Sequence, residues 1–319
     1  MTSIVFMGTP QFAVPVLEGL LAAKEYQIKA VVTQPDRPVG RKRRLTASPV
    51  KQTALAHDIP VLQPEKLSGS PEMQQVIEMA PDLLVTAAYG QFLPTKLLAS
   101  AQIAAVNVHG SLLPKYRGGA PVQYSVMNGD AKTGVTLIYM VKKMDAGAML
   151  GQVELPITAS DDTGSLFEKL SYLGRDLLLE KLPALIAGQL EAEEQDESQV
   201  VFSPTIKPEE EELLLSMTAQ ELDWKIRALR PEPGAFFANF AGQRTKLWNI
   251  DPLDEKTTQA AGTIVDLTKH QLKVAAANGT VYQINELQPA GKKRSTITNF
   301  INGNNQGLEK GQVLISNDK

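Results

Sequence analysis

Residues 106–121 read VNVHGSLLPKYRGGAP and hold the densest group of side chains that could do chemistry. Asn107 and His109 lie two residues apart, and in extended backbone such a pair projects from one face of a strand. A lone histidine is more often structural than catalytic. His109, however, precedes a loop rich in glycine and proline at the end of a predicted strand, which makes its imidazole a candidate for proton transfer.

A carboxylate partner would complete such a site. Asp145 follows a predicted strand at residues 135–140 and precedes Ala-Gly147, so it is expected in a loop at the carboxyl end of that strand. An aspartate before Ala-Gly is also a common turn former, and spacing alone does not separate the two roles. His57 and His270 lack comparable neighbours, and we interpret both as surface or packing residues.

The elements that must position these side chains are short apolar runs with turn residues on their flanks. Five runs predict buried strands, at residues 4–7, 28–33, 82–87, 103–108 and 135–140. Between them, Ser48-Pro49 and Ser70-Pro71 each place a capping side chain before a proline, which is typical of a helix start. The alternation predicts an α/β fold with a Rossmann-like parallel sheet, whose ligands bind beyond the carboxyl ends of its strands.

The first turn of this predicted sheet argues against a dinucleotide site. That fingerprint needs G-x-G-x-x-G after the first strand and an acidic residue at the end of the next. Residues 6–12 read FMGTPQF, with one glycine and a proline, and the second predicted strand leads to Gln34. The sequence therefore disfavours a nicotinamide-dependent dehydrogenase.

The composition changes after residue 188, where the acidic stretch 189–207 predicts a solvated linker. Residues 218–221 read TAQE, a capping box that opens a helix. Farther on, Asn278-Gly279 separates two strand patterns and predicts a tight hairpin. We therefore predict a first domain over residues 1–188, a linker over 189–207 and a small β-barrel over 208–319.

Composition places the chain among ordinary globular proteins, with 43% hydrophobic and 21% charged residues. No apolar run has membrane-spanning length, and the lack of cysteine excludes disulfides and thiolate zinc sites and fits a cytoplasmic protein. The net charge is −3, yet two basic clusters could contact nucleic-acid phosphate or simply form a solvated face. The front basic cluster contains Arg37, Arg41, Lys42, Arg43 and Arg44, and the rear basic cluster contains Lys292, Lys293 and Arg294. Nothing in the sequence demands more than a monomer.

Three features together resemble the formyltetrahydrofolate-dependent formyltransferases: Asn107-x-His109, the SLLP sequence of residues 111–114, and Asp145-x-Gly147. Within that family the match extends over nearly the whole chain to the branch that acts on initiator Met-tRNA. It includes residues 6–10, 33–38, 40–41, 48–51, 88–90 and 288–292. The resemblance implies a Rossmann-like catalytic domain joined by a linker to an OB-like β-barrel that helps to hold tRNA.

The resemblance also implies roles for the three central residues. The formyl group of 10-formyltetrahydrofolate is attacked by the α-amine of methionine on the tRNA, and Asn107 would donate to the carbonyl oxygen as it gains charge. His109 would donate to the same oxygen or protonate the departing N10 of the folate. Asp145 would orient the imidazole and help to accept the proton that the amine loses. No metal is needed.

Binding residues follow from the same resemblance. The expected folate contacts are Ser111, Leu112, Leu113, Pro114, Ala88, Tyr89 and Gly90. The expected tRNA contacts are Arg37, Arg41, Lys42, Arg43 and Arg44 in an inserted loop, and Lys292 and Lys293 on the barrel.

Other functions share parts of this pattern. A formyltransferase acting on a small amine, such as glycinamide ribonucleotide or an amino sugar, would use the same three residues, and a hydrolase would release formate. A tRNA-binding protein without activity would have no use for them. The basic insertion and the β domain favour tRNA, because a small substrate does not need them for capture.

Overall fold

The computed structural model describes residues 1–40, 42–303 and 307–316. The strands are β1 (Thr2–Gly8), β2 (Tyr26–Val32), β3 (Arg37–Val39), β4 (Arg44–Thr46), β5 (Val61–Leu62), β6 (Leu83–Ala87), β7 (Ala104–His109), β8 (Lys132–Tyr139), β9 (Met149–Pro156), β10 (Phe236–Phe240), β11 (Gln243–Lys256), β12 (Ile264–Leu267), β13 (Leu272–Ala275), β14 (Thr280–Pro289) and β15 (Ser295–Thr296). The helices are α1 (Val14–Ala22), α2 (Pro49–Ala56), α3 (Pro71–Met79), α4 (Thr95–Leu98), α5 (Pro121–Met127), α6 (Thr163–Ile186), α7 (Ala219–Ala228) and α8 (Ile297–Gly303). Across the described ranges, no helix combines the length and apolar character that a membrane crossing requires.

The chain divides into two compact units. The first contains Met1–Pro121, Lys132–Pro156 and Leu166–Pro204. The second contains Val122–Ala131, Ile157–Ser165 and Thr205–Lys319.

The first unit is built on a seven-stranded sheet with the order β5-β2-β1-β6-β7-β8-β9, and its first five members run parallel. Every residue of β6, and all but the first of β1, is buried, as expected for central strands covered on both faces. The predicted helix starts are confirmed, because Ser48 Oγ accepts a hydrogen bond from the Lys51 amide and Ser70 Oγ accepts one from the Met73 amide. The predicted α/β fold is confirmed with them.

The direction of β8 differs from the prediction. This strand runs antiparallel to β7, with Val106 opposite Tyr139 and His109 opposite Thr136. Its carboxyl end therefore lies beside the start of β7, away from His109. The expectation of a fifth parallel strand was wrong because the connection from β7 to β8, which contains α5, is long enough for either direction, and an apolar strand pattern does not record strand direction. Asp145 lies in the hairpin loop between β8 and β9.

The second unit is built on an antiparallel sheet with the order β10-β11-β14-β13-β12, and β15 pairs with β14. Isolated bridges join Phe240 at the end of β10 to Ile315, and Thr263 beside β12 to Val313. One terminal segment thus contacts both edges and closes the sheet into a barrel, which leaves fewer unpaired edges. The barrel core includes an edge-to-face pair of Phe240 and Phe300, with ring centroids 6.2 Å apart.

Local signals in the second unit are also confirmed. Thr218 caps α7, and the Glu221 side chain reaches back to the Thr218 amide in a capping box. Asn278 and Gly279 turn the chain between β13 and β14 with φ values of 57° and 66°. Both values lie in the left-handed region that a tight hairpin turn of this kind requires.

The acidic segment 189–207 is less solvated than its composition predicts. Glu193 forms a bridge with Met149, and Phe202 forms one with Arg117. Gln195 and Ser203 are buried at 8% and 0% exposure. Most other residues of the segment are exposed. These buried contacts were not predictable, because acidic composition does not reveal polar partners that are distant in sequence.

The Asp82 carboxylate links β1 to the start of β6. Asp82 Oδ2 accepts hydrogen bonds from the Ser3 amide at 2.7 Å and the Ser3 hydroxyl at 2.8 Å. These bonds, with the backbone amide as the larger cause, hold the pKa of Asp82 below its ordinary value. The carboxylate therefore stabilises the fold above the unfolded pKa near 3.9, and this contribution is lost as the pH falls through the folded pKa.

We expect Asp82→Asn to lower the free energy of unfolding at pH 7 by about 1 to 2 kcal/mol, because charge-assisted hydrogen bonds are the stronger kind. The difference from wild type should shrink as the pH falls below about 4. Urea unfolding at pH 7 and pH 3 measures both values. Glu191→Gln, a charge loss at an exposed position, is the control, and a difference that persists unchanged at pH 3 would contradict the assignment.

Candidate active site

Asn107 lies in β7, paired on one side with Thr86 of β6 and on the other with Ile138 of β8. Its side chain is half-buried. The Thr86 hydroxyl donates to Asn107 Oδ1 at 2.7 Å. In this arrangement the Asn107 amide oxygen accepts from Thr86, and the Nδ2 group is left as a donor for a substrate oxygen.

His109 ends β7, two residues beyond Asn107 and on the same face of the strand. The imidazole is buried, with 6% of its surface exposed. Its Nε2 lies 3.0 Å from the backbone oxygen of Tyr116. A carbonyl oxygen can only accept, so Nε2 carries a hydrogen, and Nδ1 is the nitrogen that can exchange a proton with a substrate.

Asp145 faces that second nitrogen from the β8–β9 loop. Its Oδ2 lies 3.8 Å from His109 Nδ1 and accepts a hydrogen bond from the Gly118 amide at 2.9 Å. The first distance is an ion-pair approach rather than a hydrogen bond, and contacts of this kind often shorten when substrate binds. Asp145 also has a left-handed backbone, with φ of 51°, a conformation that is uncommon outside glycine but is enriched in asparagine and aspartate.

The three predicted central residues therefore belong to one site at the end of β7. It combines an oriented amide donor, an imidazole with one free nitrogen, and a carboxylate held by a backbone amide. This set can stabilise a developing oxyanion and move a proton between two substrate atoms. Within the described part of the chain, no group of three or more histidine, aspartate or glutamate side chains is arranged to hold a metal ion.

The predicted folate segment 111–114 directly follows His109 and is held against β8 and β9. Thr136 Oγ1 donates to the Ser111 oxygen at 2.6 Å and accepts from the Leu113 amide at 3.1 Å. The Leu113–Pro114 peptide bond is cis. Ser111 is fully buried and its hydroxyl donates to the Lys115 oxygen, whereas Leu112 and Pro114 are half-buried.

The second predicted folate segment, Ala88 to Gly90, forms the turn after β6. Ala88 and Gly90 are exposed and both have left-handed backbones, with φ of 47° and 87°. Tyr89 is buried, which raises its pKa to about 12. Its backbone oxygen accepts hydrogen bonds from Thr9 Oγ1 at 2.9 Å and Gln34 Nε2 at 3.3 Å.

The front basic cluster lies on an exposed hairpin formed by β3 and β4. Arg37 forms an ion pair with Glu65 at 2.7 Å, so its charge is partly neutralised. Lys42, Arg43 and Arg44 are exposed. The predicted contact Arg41 lies outside the described residues.

In the rear basic cluster, Lys292 and Lys293 are exposed in the turn between β14 and β15. Beside it lies a cleft of about 280 Å³, lined by Arg244, Lys246 and residues 288–291. The Arg244 guanidinium stacks on the Phe236 ring at 3.6 Å and forms an ion pair with Glu211 at 3.8 Å, so its charge is partly neutralised. No sequence pattern indicates Arg244 or Lys246, because each is a single basic residue within a strand pattern.

Sequence patterns also do not indicate three further residues around the site. Thr86 orients Asn107, and its only signal is a hydroxyl inside an apolar strand. Arg117 and Gln195 are buried, and Arg117 Nε donates to Gln195 Oε1 at 3.0 Å. Since they are 78 residues apart, no local pattern could have paired them.

A glycine makes the Asp145 loop possible. A Cβ atom added at Gly147 would lie 1.8 Å from the Tyr139 oxygen and 2.7 Å from the Tyr139 carbonyl carbon. These are backbone atoms of β8, so the loop would have to move. We expect Gly147→Ala to lower the free energy of unfolding by about 1 to 3 kcal/mol and kcat by about 10- to 100-fold.

Chemical unfolding and steady-state kinetics measure the two effects of Gly147→Ala. Gly303→Ala is the matched control, because a Cβ atom there meets nothing within 4 Å. A Gly147→Ala variant with wild-type kcat would show that the loop tolerates displacement.

Two family models match the chain. The model described as formyl transferase covers residues 1–182, and the model described as formyl transferase, C-terminal domain, covers residues 205–305. In the solved structures, the N-formyltransferase from Helicobacter canadensis in complex with folinic acid and dTDP-3-aminofucose has a similar fold, with a TM-score of 0.68 and 18% identity. The match covers 91% of this chain and 100% of that one.

Similarity to relatives of known name is much higher. The chain is 66% identical to the methionyl-tRNA formyltransferase of Ligilactobacillus salivarius over 319 residues, with all of both chains covered. It is 62% identical to the methionyl-tRNA formyltransferase of Lacticaseibacillus casei over 318 residues, covering 100% of this chain and 99% of that one. The chain belongs to the methionyl-tRNA formyltransferase family.

Proposed function

We propose that this protein transfers the formyl group of 10-formyltetrahydrofolate to the α-amino group of methionine on initiator Met-tRNA. The observation that carries the proposal is the convergence of Asn107, His109 and Asp145 at the end of β7. High identity to named methionyl-tRNA formyltransferases supports the choice of donor and acceptor.

Asn107 stabilises the charge that develops during the transfer. As the amine adds to the formyl carbon, the formyl oxygen becomes negative, and a fixed donor lowers the energy of that state. Thr86 occupies the Asn107 oxygen, so the Nδ2 hydrogens are the part of the amide that serves this purpose. The amide is already oriented and needs little reorganisation when the charge forms.

His109 moves the proton. The attacking amine must lose a proton and the departing N10 must gain one, so one group that receives and then releases a proton serves both needs. Nδ1 is suited to this role because Nε2 is engaged by the Tyr116 oxygen. Asp145 orients the imidazole and stabilises it while it carries the extra proton.

The residues of segments 111–114 and 88–90 fit a formylated folate, which supplies the formyl group on N10. Leu112 and Pro114 offer half-buried apolar surface for the heterocycle, while Ser111 and Leu113 keep the segment in place through Thr136. The turn Ala88-Tyr89-Gly90, which is exposed at Ala88 and Gly90, forms the other wall of the folate site in this proposal.

Basic residues in both units bind the tRNA in this proposal. In the first unit they are Arg37, Arg41, Lys42, Arg43 and Arg44, on and beside the β3–β4 hairpin. In the second unit Lys292 and Lys293 contact the tRNA backbone. Under this reading residues 1–188 act as the catalytic domain, and residues 208–319, after the 189–207 linker, as the tRNA-binding barrel.

We expect the triple variant Lys42→Ala, Arg43→Ala, Arg44→Ala to raise KM for Met-tRNA at least about tenfold and to leave KM for the folate unchanged. Loss of three phosphate contacts should also reduce the slope of log KM against log salt by about two to three. Steady-state kinetics at several salt concentrations measure both effects. The matched control changes Lys24, Lys66 and Lys96 to alanine, and equal effects in the two triple variants would count against a specific role for the hairpin.

A comparison of acceptors tests the proposed function. The kcat/KM for methionine-charged initiator tRNA is measured beside that for a dTDP-amino sugar and for glycinamide ribonucleotide, with 10-formyltetrahydrofolate as donor. The proposal predicts that the tRNA is preferred by orders of magnitude. A preference for either small amine would overturn the proposed acceptor while keeping the reaction.

A further inference from the structure

Asp145 has a left-handed backbone conformation. Its φ of 51° lies in a region that aspartate adopts more often than most side chains, although it remains a minority conformation for any residue with a Cβ atom. Residues keep such conformations only where their surroundings hold them. The contacts around Asp145 therefore help to define the conformation of this loop.

The Gln195 amide supplies such contacts. Its Nε2 donates to the backbone oxygen of Asp145 at 2.8 Å and to that of Gly147 at 2.8 Å. Both amide hydrogens are thus used on the two carbonyls that flank Ala146. Gln195 is 8% exposed, so water competes little for these bonds.

Arg117 holds the other end of the same amide. Its Nε donates to Gln195 Oε1 at 3.0 Å, and its Nη2 donates to Glu197 Oε1 at 2.8 Å. Arg117 has no exposed surface, and its backbone forms a bridge with Phe202. The guanidinium fixes the orientation of Gln195, because a guanidinium only donates and must face the amide oxygen.

These contacts hold both the backbone and the side chain of Asp145. Gly118 follows Arg117, and its amide donates to Asp145 Oδ2. Gln195 therefore links the Asp145 backbone to Arg117. The next residue, Gly118, binds the Asp145 carboxylate through its amide. Backbone and carboxylate are held from two directions through one glutamine.

We propose that Gln195 is a positioning residue for formyl transfer, which holds the Asp145 loop so that its carboxylate faces His109 Nδ1. The inference rests on the proposed function for the reaction and on the contacts above for the position. Gln195 does not touch substrate. It acts through Asp145, from a segment whose composition resembles a linker.

Two variants distinguish the effect of the Gln195 hydrogen bonds from the effect of its side-chain volume. Gln195→Glu keeps the length and an oxygen for Arg117 but removes both Nε2 hydrogens, so a carboxylate faces two carbonyl oxygens. Gln195→Met keeps the length and removes all hydrogen bonds. We expect each to lower kcat by about 100-fold with KM for Met-tRNA and folate within about threefold of wild type, since a displacement near 1 Å can cost that much.

Gln199→Glu is the matched control. Gln199 lies in the same segment and its amide donates to the exposed Asp196, away from the Asp145 loop. It should keep wild-type kcat. Thermal unfolding of all variants identifies any loss of folded protein, and wild-type kcat in either folded Gln195 variant would overturn the proposal.

A spectroscopic readout makes the result independent of the acceptor. The imidazole ¹H–¹⁵N signals of His109 should shift in Gln195→Glu, while those of the exposed His57 and His270 should not. Unchanged His109 signals would overturn the positioning role. If the wild-type protein formylates no tRNA, the proposed function fails, yet the His109 signals still decide whether Gln195 places Asp145.

Discussion

We expect His109→Ala to lower the single-turnover rate of formyl transfer to Met-tRNA by about 10²- to 10⁴-fold. The variant leaves the amine without an acceptor for its proton and N10 without a donor. Asn107 remains in place, so residual transfer should stay above the rate without protein. Rapid-quench kinetics at saturating folate and tRNA measure the chemical step apart from binding.

Two comparisons make the His109→Ala result specific. His57→Ala removes an exposed imidazole and should leave the rate unchanged. Added imidazole should restore part of the lost rate in His109→Ala, because the cavity left by the buried side chain can admit the missing acid–base group. A rate within tenfold of wild type, or a loss explained by unfolding, would contradict the proton-transfer role.

The second large effect is expected at Asn107. Asn107→Ala should lower kcat by about 10²- to 10³-fold, the usual loss for one oxyanion donor, with little change in KM for the folate. Asn107→Asp should be at least as severe, because it places an acceptor and a negative charge where the formyl oxygen becomes negative. Steady-state kinetics on both substrates measure the two parameters.

Gln102→Ala, an exposed amide just before β7, is the control for Asn107. A fall in binding with unchanged kcat would mean that Asn107 contacts the substrates equally in the ground state and the transition state. That outcome would contradict the assignment of Asn107 as the oxyanion donor.

Much of the fold was predictable because its signals are local. Ser48 and Ser70 cap the helices that they precede, and Asn278-Gly279 turns the hairpin, since each signal depends on residues within one turn of chain. The buried strands were predictable for the same reason. Asn107 and His109 were found together because their spacing of two is a property of a single strand.

The remaining features depend on contacts between distant residues. Asp145 was expected at a carboxyl end of the parallel sheet, and it reaches His109 although β8 runs the other way. The partnership of Gln195 with Asp145 spans 50 residues and crosses an acidic segment. Strand direction and polar partners of this kind are set by tertiary structure. The composition of the chain and the periodicity of its apolar residues do not record them.

The most direct test of the account is a single-turnover experiment with the wild-type protein, 10-formyltetrahydrofolate and methionine-charged initiator tRNA. Loss of the folate formyl group and gain of formyl on the methionine amine are followed in the same samples. The account predicts one formylmethionine for each formyl group consumed, with both steps slowed equally in His109→Ala. Consumption of the donor with release of formate, or formyl transfer that is unaffected by His109→Ala, would contradict it.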